Sequence, residues 1–272
     1  MSTLTVPGAR LHYDLHGNGP LLILLPGASG DARPFTTTGF AQHLAAHHTV
    51  LTYDRRGFSR SDLNGPQDYH HRLDTDADDV EHLIQHTGHQ TATVFGTSSG
   101  ALVALRLLAR HPTAVSTVIA YEPPALRLLP DYQHWTDLFH RIYDLYRSAG
   151  IEPALHEFRT HTFTTTDRHA MTRAADLTNP QIRANATYWF EHELRQYPAD
   201  DLHLDTLATH AARIVPAAGR DSRDHVCHQA SLELSHRLGR TLAELPGGHV
   251  GFATQPADFA RELRALSGGG VG

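Results

Sequence analysis

The chain has 272 residues, 40% hydrophobic and 19% charged; 23 Arg and no Lys stand against 29 acids, for a net charge of −6 with 23 His counted neutral. That composition supports a large core, or a core with a sizeable insertion, and argues against disorder. It excludes lysine Schiff-base and Walker-type phosphate chemistry and, with Cys227 the single cysteine, an internal disulfide or a Cys-rich zinc site; an acidic balance without a basic block also argues against a nucleic-acid partner.

Met1 to Arg10 lacks the charged start and long apolar run of a secretion signal, and Leu21–Leu25 is too short to cross a membrane. A cytoplasmic chain without a membrane partner is expected. Leu4–Pro7 with Arg10–Leu15 reads as an antiparallel edge hairpin. Apolar runs then follow at Leu21–Leu25, Thr49–Tyr53, Thr91–Phe95, Ser116–Ala120, Arg213–Ala218 and Thr241–Leu245, bounded by Gly, Pro or Asp. Most have the continuous apolar character of strands covered on both faces. Amphipathic helices fit between several of them, for example Asp74–Thr87 and Gly100–Ala109, so the pattern predicts an α/β fold with a mostly parallel central sheet flanked by helices. Between Tyr121 and Arg213 the strand rhythm stops. Helical patterns at Asp131–Ala149, Glu152–Thr160, Asp167–Leu177 and Arg183–Tyr197 predict a helical lid between the sixth and seventh strands, over the C-terminal edge of the sheet where such folds bind ligands. The expected division is a core of 1–123 and 207–272 and a lid of 124–206. The Gly-rich tail Ser267–Gly272 is expected to fray.

The sharpest motif is Gly96-Thr97-Ser98-Ser99-Gly100. An apolar strand runs into it and a strong helix runs out, the context in which G-x-S-x-G raises a nucleophilic serine on a strained turn. The flanking glycines suit a turn too tight for a Cβ. Ser98 is the candidate nucleophile. The backbone N–H of Ser99, with that of Ala28 in Pro26-Gly27-Ala28-Ser29-Gly30 after an earlier strand, is the candidate oxyanion hole. A base should follow the last strand, and Pro246-Gly247-Gly248-His249 does so, which selects His249 from 23 histidines. The others, including His47-His48, His70-His71, His43, His82, His86 and His89, show no ligand pattern such as H-E-x-x-H and read as solvated or helix-end side chains, so no metal or cofactor is expected. Two acids compete to orient the base. Asp221 follows the strand ending near Ala218 but stands one residue short of the usual spacing, which falls on Ser222. Glu122 ends the strand after the nucleophile helix in an apolar setting that a carboxylate tolerates only with a partner. Outside a catalytic role, Asp221 or its neighbour Asp224 would cap the following helix.

These residues resemble the α/β-hydrolases over nearly the whole chain, and in detail the zearalenone lactonases. That group has a Cys-Ser-Ser-Gly elbow like Thr97-Ser98-Ser99-Gly100. Its Asp-X-Pro-Gly-X-Ser-Arg-Ser loop is similar to Asp54-Arg55-Arg56-Gly57-Phe58-Ser59-Arg60-Ser61 with one position changed. Its acid is a glutamate in a Glu-Leu-Pro setting like Glu122-Pro123-Pro124, and its base lies in a Leu-Pro-Gly-X-His run like Leu245-Pro246-Gly247-Gly248-His249. The resemblance implies a Ser-His-Glu triad with Glu122 favoured over Asp221, and a lid tryptophan on the substrate at Trp189. The chain departs from the group in reading Pro26-Gly27-Ala28 for Pro-Asp-Gly, in carrying Asp221, and in a longer lid.

The expected activity is hydrolysis of a small apolar carboxylic ester or lactone, a resorcylic macrolactone of the zearalenone type among them, through an acyl-enzyme on Ser98. The alternatives are C–C bond or thioester hydrolysis, cofactor-free perhydrolysis, or a non-enzymatic ligand receptor on the same scaffold. The oligomeric state stays open, a homodimer being one alternative.

Overall fold

The computed structural model describes residues 2–267, so residues 268–272 of the expected frayed tail lie outside the described residues. Eight strands form a continuous sheet: β1 (Ser2–Val6), β2 (Ala9–His16), β3 (Leu21–Leu25), β4 (Thr49–Tyr53), β5 (Ala92–Thr97), β6 (Val115–Tyr121), β7 (Ile214–Gly219) and β8 (Ala243–Leu245), in the order β1-β2-β4-β3-β5-β6-β7-β8. A two-residue strand, Asp62–Leu63, pairs with β2 beside this path. β1 and β2 form an antiparallel hairpin, and β2 is antiparallel to β4; every later pairing is parallel. Every residue of β3 and β5 is buried, because helices cover both faces, and this burial is why these strands are continuously apolar instead of alternating. One apolar cluster lies on each face of the sheet.

The strand runs read from sequence stand within two residues of the observed ones. The helix expected after Asp221 and Asp224 is Val226–Leu238, and its buried face includes the polar His228, Ser231 and Ser235. Its N-cap is His225, without a capping side chain, so Asp224 does not cap it; Asp221 does not either, lying in the 3₁₀ turn Arg220–Ser222.

Four helices, Tyr132–Ala149, Ile151–Thr162, Thr165–Ala174 and Pro180–His192, lie between β6 and β7. The third begins with a reciprocal cap: the Thr164 hydroxyl accepts from the Asp167 N–H and donates to its carboxylate. The expected lid boundary at residue 206 cuts a fifth helix, Leu204–Thr209, which packs on the helices Ser99–Arg110 and Val226–Leu238 of the sheet layer. Among the described residues, no helix is long and apolar enough to cross a membrane.

Candidate active site

Parallel strands deliver their C-terminal ends to one edge of the sheet, and there the chain gathers the residues singled out above. β5 ends in Ser98, at φ 54° and ψ −124°, and the helix Ser99–Arg110 starts at once. A Cβ on Gly96 would lie 2.3 Å from the Gly100 carbonyl oxygen, and one on Gly100 would lie 2.4 Å from that of Leu25, so only glycine closes this turn. β6 ends in the same way, with Glu122 at φ 47°. Each of these left-handed residues costs about 1–3 kcal/mol. Both are held by the neighbouring strand: Ser98 N–H donates to Tyr121 O and Glu122 N–H to Ala217 O, each at 2.9 Å. Thr97 and Tyr121 are paired in register, so Ser98 and Glu122 leave two adjacent strands at the same level of the sheet edge.

Glu122 is 1% exposed. Its Oε2 lies 2.6 Å from His249 Nδ1. Its Oε1 accepts from Gly219 N–H at 2.9 Å and from the Ser222 hydroxyl. Burial pushes the carboxyl pKa up, but the bond and charge of His249, with the Ser222 and Gly219 donors, hold it below the ordinary glutamate value. An ionised Glu122 only accepts, so Nδ1 carries the proton and Nε2 is left as the acceptor. Ser222, standing where the usual spacing places an acid, thus serves the carboxylate of the neighbouring strand. Asp221 is exposed; its N–H donates to Gly247 O at 3.0 Å, and its carboxylate makes no hydrogen bond among the described residues.

The His249 loop is fixed from several sides. Tyr121 OH donates to Gly248 O at 2.5 Å. Asp167, 1% exposed and carried by the inserted helix Thr165–Ala174, accepts the N–H groups of His249 and Val250, both at 3.1 Å. Phe163 packs on the imidazole with ring centroids 4.4 Å apart. Asp167 and Phe163 had no signature in the sequence: an aspartate at the third position of a helix reads as a cap, and its second task depends on a loop 82 residues away.

Ala28 and Ser99 both line the cavity beside Ser98, and neither backbone N–H has a hydrogen-bond partner among the described residues. The carbonyl before Ala28 is anchored: Arg55, fully buried, donates to Gly27 O at 2.9 Å while pairing with Asp76 and with Glu193 from the end of the inserted helix Pro180–His192. Burial alone would lower the Arg55 pKa; these carboxylates raise it. Asn185 ties the same helix to the core by donating to Ser29 O at 3.0 Å and accepting from Ser59 N–H at 2.8 Å.

Ser98, His249, Ala28, Ser99 and Trp189 share one cavity of about 390 Å³, lined mainly by apolar side chains. Trp189 packs there against Phe158 and Phe190 at centroid distances of 4.9 and 4.8 Å. Cys227 also borders it, but burial, with the charge of Glu122 second, pushes its thiol pKa up and keeps it protonated. Among the described residues no group of three or more His, Cys, Asp or Glu is placed to hold a metal ion.

The arrangement can be compared with known proteins. The family model for the alpha/beta hydrolase fold matches residues 20–200. The chain is 35% identical, over 97% of its length and 94% of the relative's, to the uncharacterized hydrolase YraK of Bacillus subtilis (strain 168). It is 31% identical to the zearalenone hydrolase of Bionectria ochroleuca, over 45% of this chain and 47% of that protein. Its fold superposes with a TM-score of 0.81, at 16% identity, on MGS-M2, an alpha/beta hydrolase enzyme from a Medee basin deep-sea metagenome library, covering 100% of this chain and 99% of that one.

Proposed function

The chain belongs to the α/β-hydrolase fold family, and within it we propose that it is a serine hydrolase cleaving a carboxylic ester or lactone. The observation that carries this is the buried 2.6 Å pair of His249 and Glu122 opening on the same cavity as Ser98 at its strained elbow. Ser98 Oγ attacks the carbonyl carbon while His249 Nε2 takes its proton. The C=O electron pair moves onto oxygen, held by the N–H groups of Ala28 and Ser99. The tetrahedral centre collapses, the C–O bond to the alcohol breaks, and His249 returns the proton to the departing oxygen. Water, deprotonated by His249, then releases the acid from Ser98. In a lactone the alcohol stays attached and the product is a hydroxy acid. Glu122 holds the imidazole in the tautomer that leaves Nε2 free.

The cavity's apolar lining suits a bulky hydrophobic substrate, with Trp189 as one contact, and the helices of residues 124–203 form the lid over it. Likeness to the zearalenone hydrolase supports testing zearalenone first. The experiment is turnover of zearalenone, other macrolactones and 4-nitrophenyl esters by the purified chain, with Ser98→Ala as the blank. Ester or lactone cleavage that disappears in Ser98→Ala is expected. Cleavage that survives it, or none on any substrate, overturns the reading.

A further inference from the structure

A second cavity, of about 420 Å³, adjoins the first and shares Leu155, Arg159, Ala175 and Leu177 with it. Its walls carry Arg159 from the helix Ile151–Thr162 and Arg168 from the helix Thr165–Ala174, with His156 and His169; the single carboxylate in its lining is the exposed Glu152. Neither arginine has a carboxylate within ion-pair distance among the described residues. Arg159 Nη1 donates to the Thr172 hydroxyl at 3.3 Å, and Arg168 Nη2 to that of Thr165 at 2.8 Å, while Arg168 Nε is buried without a partner.

This sets the pair apart from the other arginines around the site. Arg33, also on the first cavity, pairs with Asp31 at 2.7 Å, and Arg55 and Arg72 pair with Glu193 at 2.8 and 2.9 Å. For Arg159, burial is the sole perturbation and it lowers the pKa, whereas carboxylates overcome burial at Arg55 and Arg72. Both side chains are half-buried, so each guanidinium is partly desolvated without a counter-ion, and the place of Arg159 on both cavities gives an incoming anion a route to it. The guanidinium fork matches a carboxylate in two parallel bonds. The cavity that holds both Arg159 and Ser98 also carries the apolar Leu155, Phe158 and Leu177.

We propose that Arg159, assisted by Arg168, binds a carboxylate of the substrate itself, so that the preferred substrates are esters or lactones joining an apolar stretch to a distal acid group. This rests on the ester or lactone hydrolase reading and narrows its substrate class. The test compares mono(4-nitrophenyl) adipate and suberate with their methyl-capped counterparts, which have the same length and no charge. In the wild-type chain kcat/KM for the acid esters is expected to exceed that of the capped esters by about 10- to 100-fold, mainly through KM, the factor given by hydrogen bonds to a charged group. Arg159→Leu is expected to bring that ratio near or below one, and Arg159→Lys to retain part of it. Fluorophosphonate labelling of Ser98 in each variant checks that the site is folded. Cleavage of the capped esters with no preference for the acids, or a preference unchanged in a labelled Arg159→Leu, overturns the subsite and leaves the hydrolase reading standing. Cleavage of none of the four esters by a wild-type chain that turns over zearalenone or another macrolactone overturns the subsite alone; with no turnover of those either, the hydrolase reading falls and the subsite with it.

Discussion

Replacing Glu122 with glutamine changes one atom and tests the whole arrangement. The carboxylate has two acceptor oxygens in use: Oε1 faces Gly219 N–H and the Ser222 hydroxyl, and Oε2 faces His249 Nδ1. A glutamine oxygen can serve one side only. The Gly219 N–H is part of the backbone and cannot turn, so the amide oxygen goes there and the amide NH₂ faces His249. Nδ1 must then accept, the proton moves to Nε2, and the nitrogen meant to deprotonate Ser98 is already protonated. Loss of the correct tautomer in a serine triad lowers kcat by about 10⁴, which at 1.36 kcal/mol per factor of ten is about 5.4 kcal/mol. The assay is steady-state kcat on a 4-nitrophenyl ester, with KM followed separately because Glu122 does not line the cavity. Asp221→Asn, an exposed position, is the companion variant and should stay within about twofold, in line with the small effects of surface substitutions. Activity of Glu122→Gln within tenfold of wild type, or a larger loss in Asp221→Asn, would refute the assignment of the acid.

The same carboxylate sets a pH dependence. Its pKa is depressed on folding, so the stability it contributes is complete above the unfolded glutamate value and is lost as the pH falls through the folded value. Urea titrations from pH 7 to pH 3 should therefore show the stability gap between wild type and Glu122→Gln closing at the acid end. Arg55→Met removes one of the two cations shared by the buried Asp76 and Glu193, leaving Arg72 alone with both, and should lower the unfolding free energy by up to about 3–5 kcal/mol, read from denaturant midpoints. Asp167→Ala strips the acceptor from the N–H groups of His249 and Val250, at about 1–3 kcal/mol for each stranded donor; thermal melts and kcat should both fall, and kcat unchanged in a destabilised variant would separate the lid carboxylate from the seating of His249. Gly100→Ala puts a Cβ 2.4 Å from the Leu25 carbonyl oxygen, backbone that cannot swing aside, and should yield either insoluble protein or a chain that no longer labels at Ser98.

Local signals carried much of this protein. The buried parallel strands were legible because a strand covered on both faces has to be apolar throughout, as β3 is. The Ser98 elbow was legible because its glycines are demanded by backbone contacts within a few residues, and the His249 loop because Pro-Gly-Gly follows a strand directly. Sequence order narrowed the orienting acid to two residues and could go no further, since Glu122 and Asp221 each follow a strand that ends at the same edge of the sheet. Only the tertiary structure shows which of them meets His249: the left-handed backbone at Glu122 places its carboxylate against Nδ1, and Ser222, from the turn after the adjoining strand, donates to the same carboxylate. Asp167 and the arginine pair beside the second cavity were equally out of reach. Their partners, or the lack of them, depend on how the inserted helices lie on the sheet, and one residue's neighbours across 80 positions of chain are set by packing instead of by local spacing.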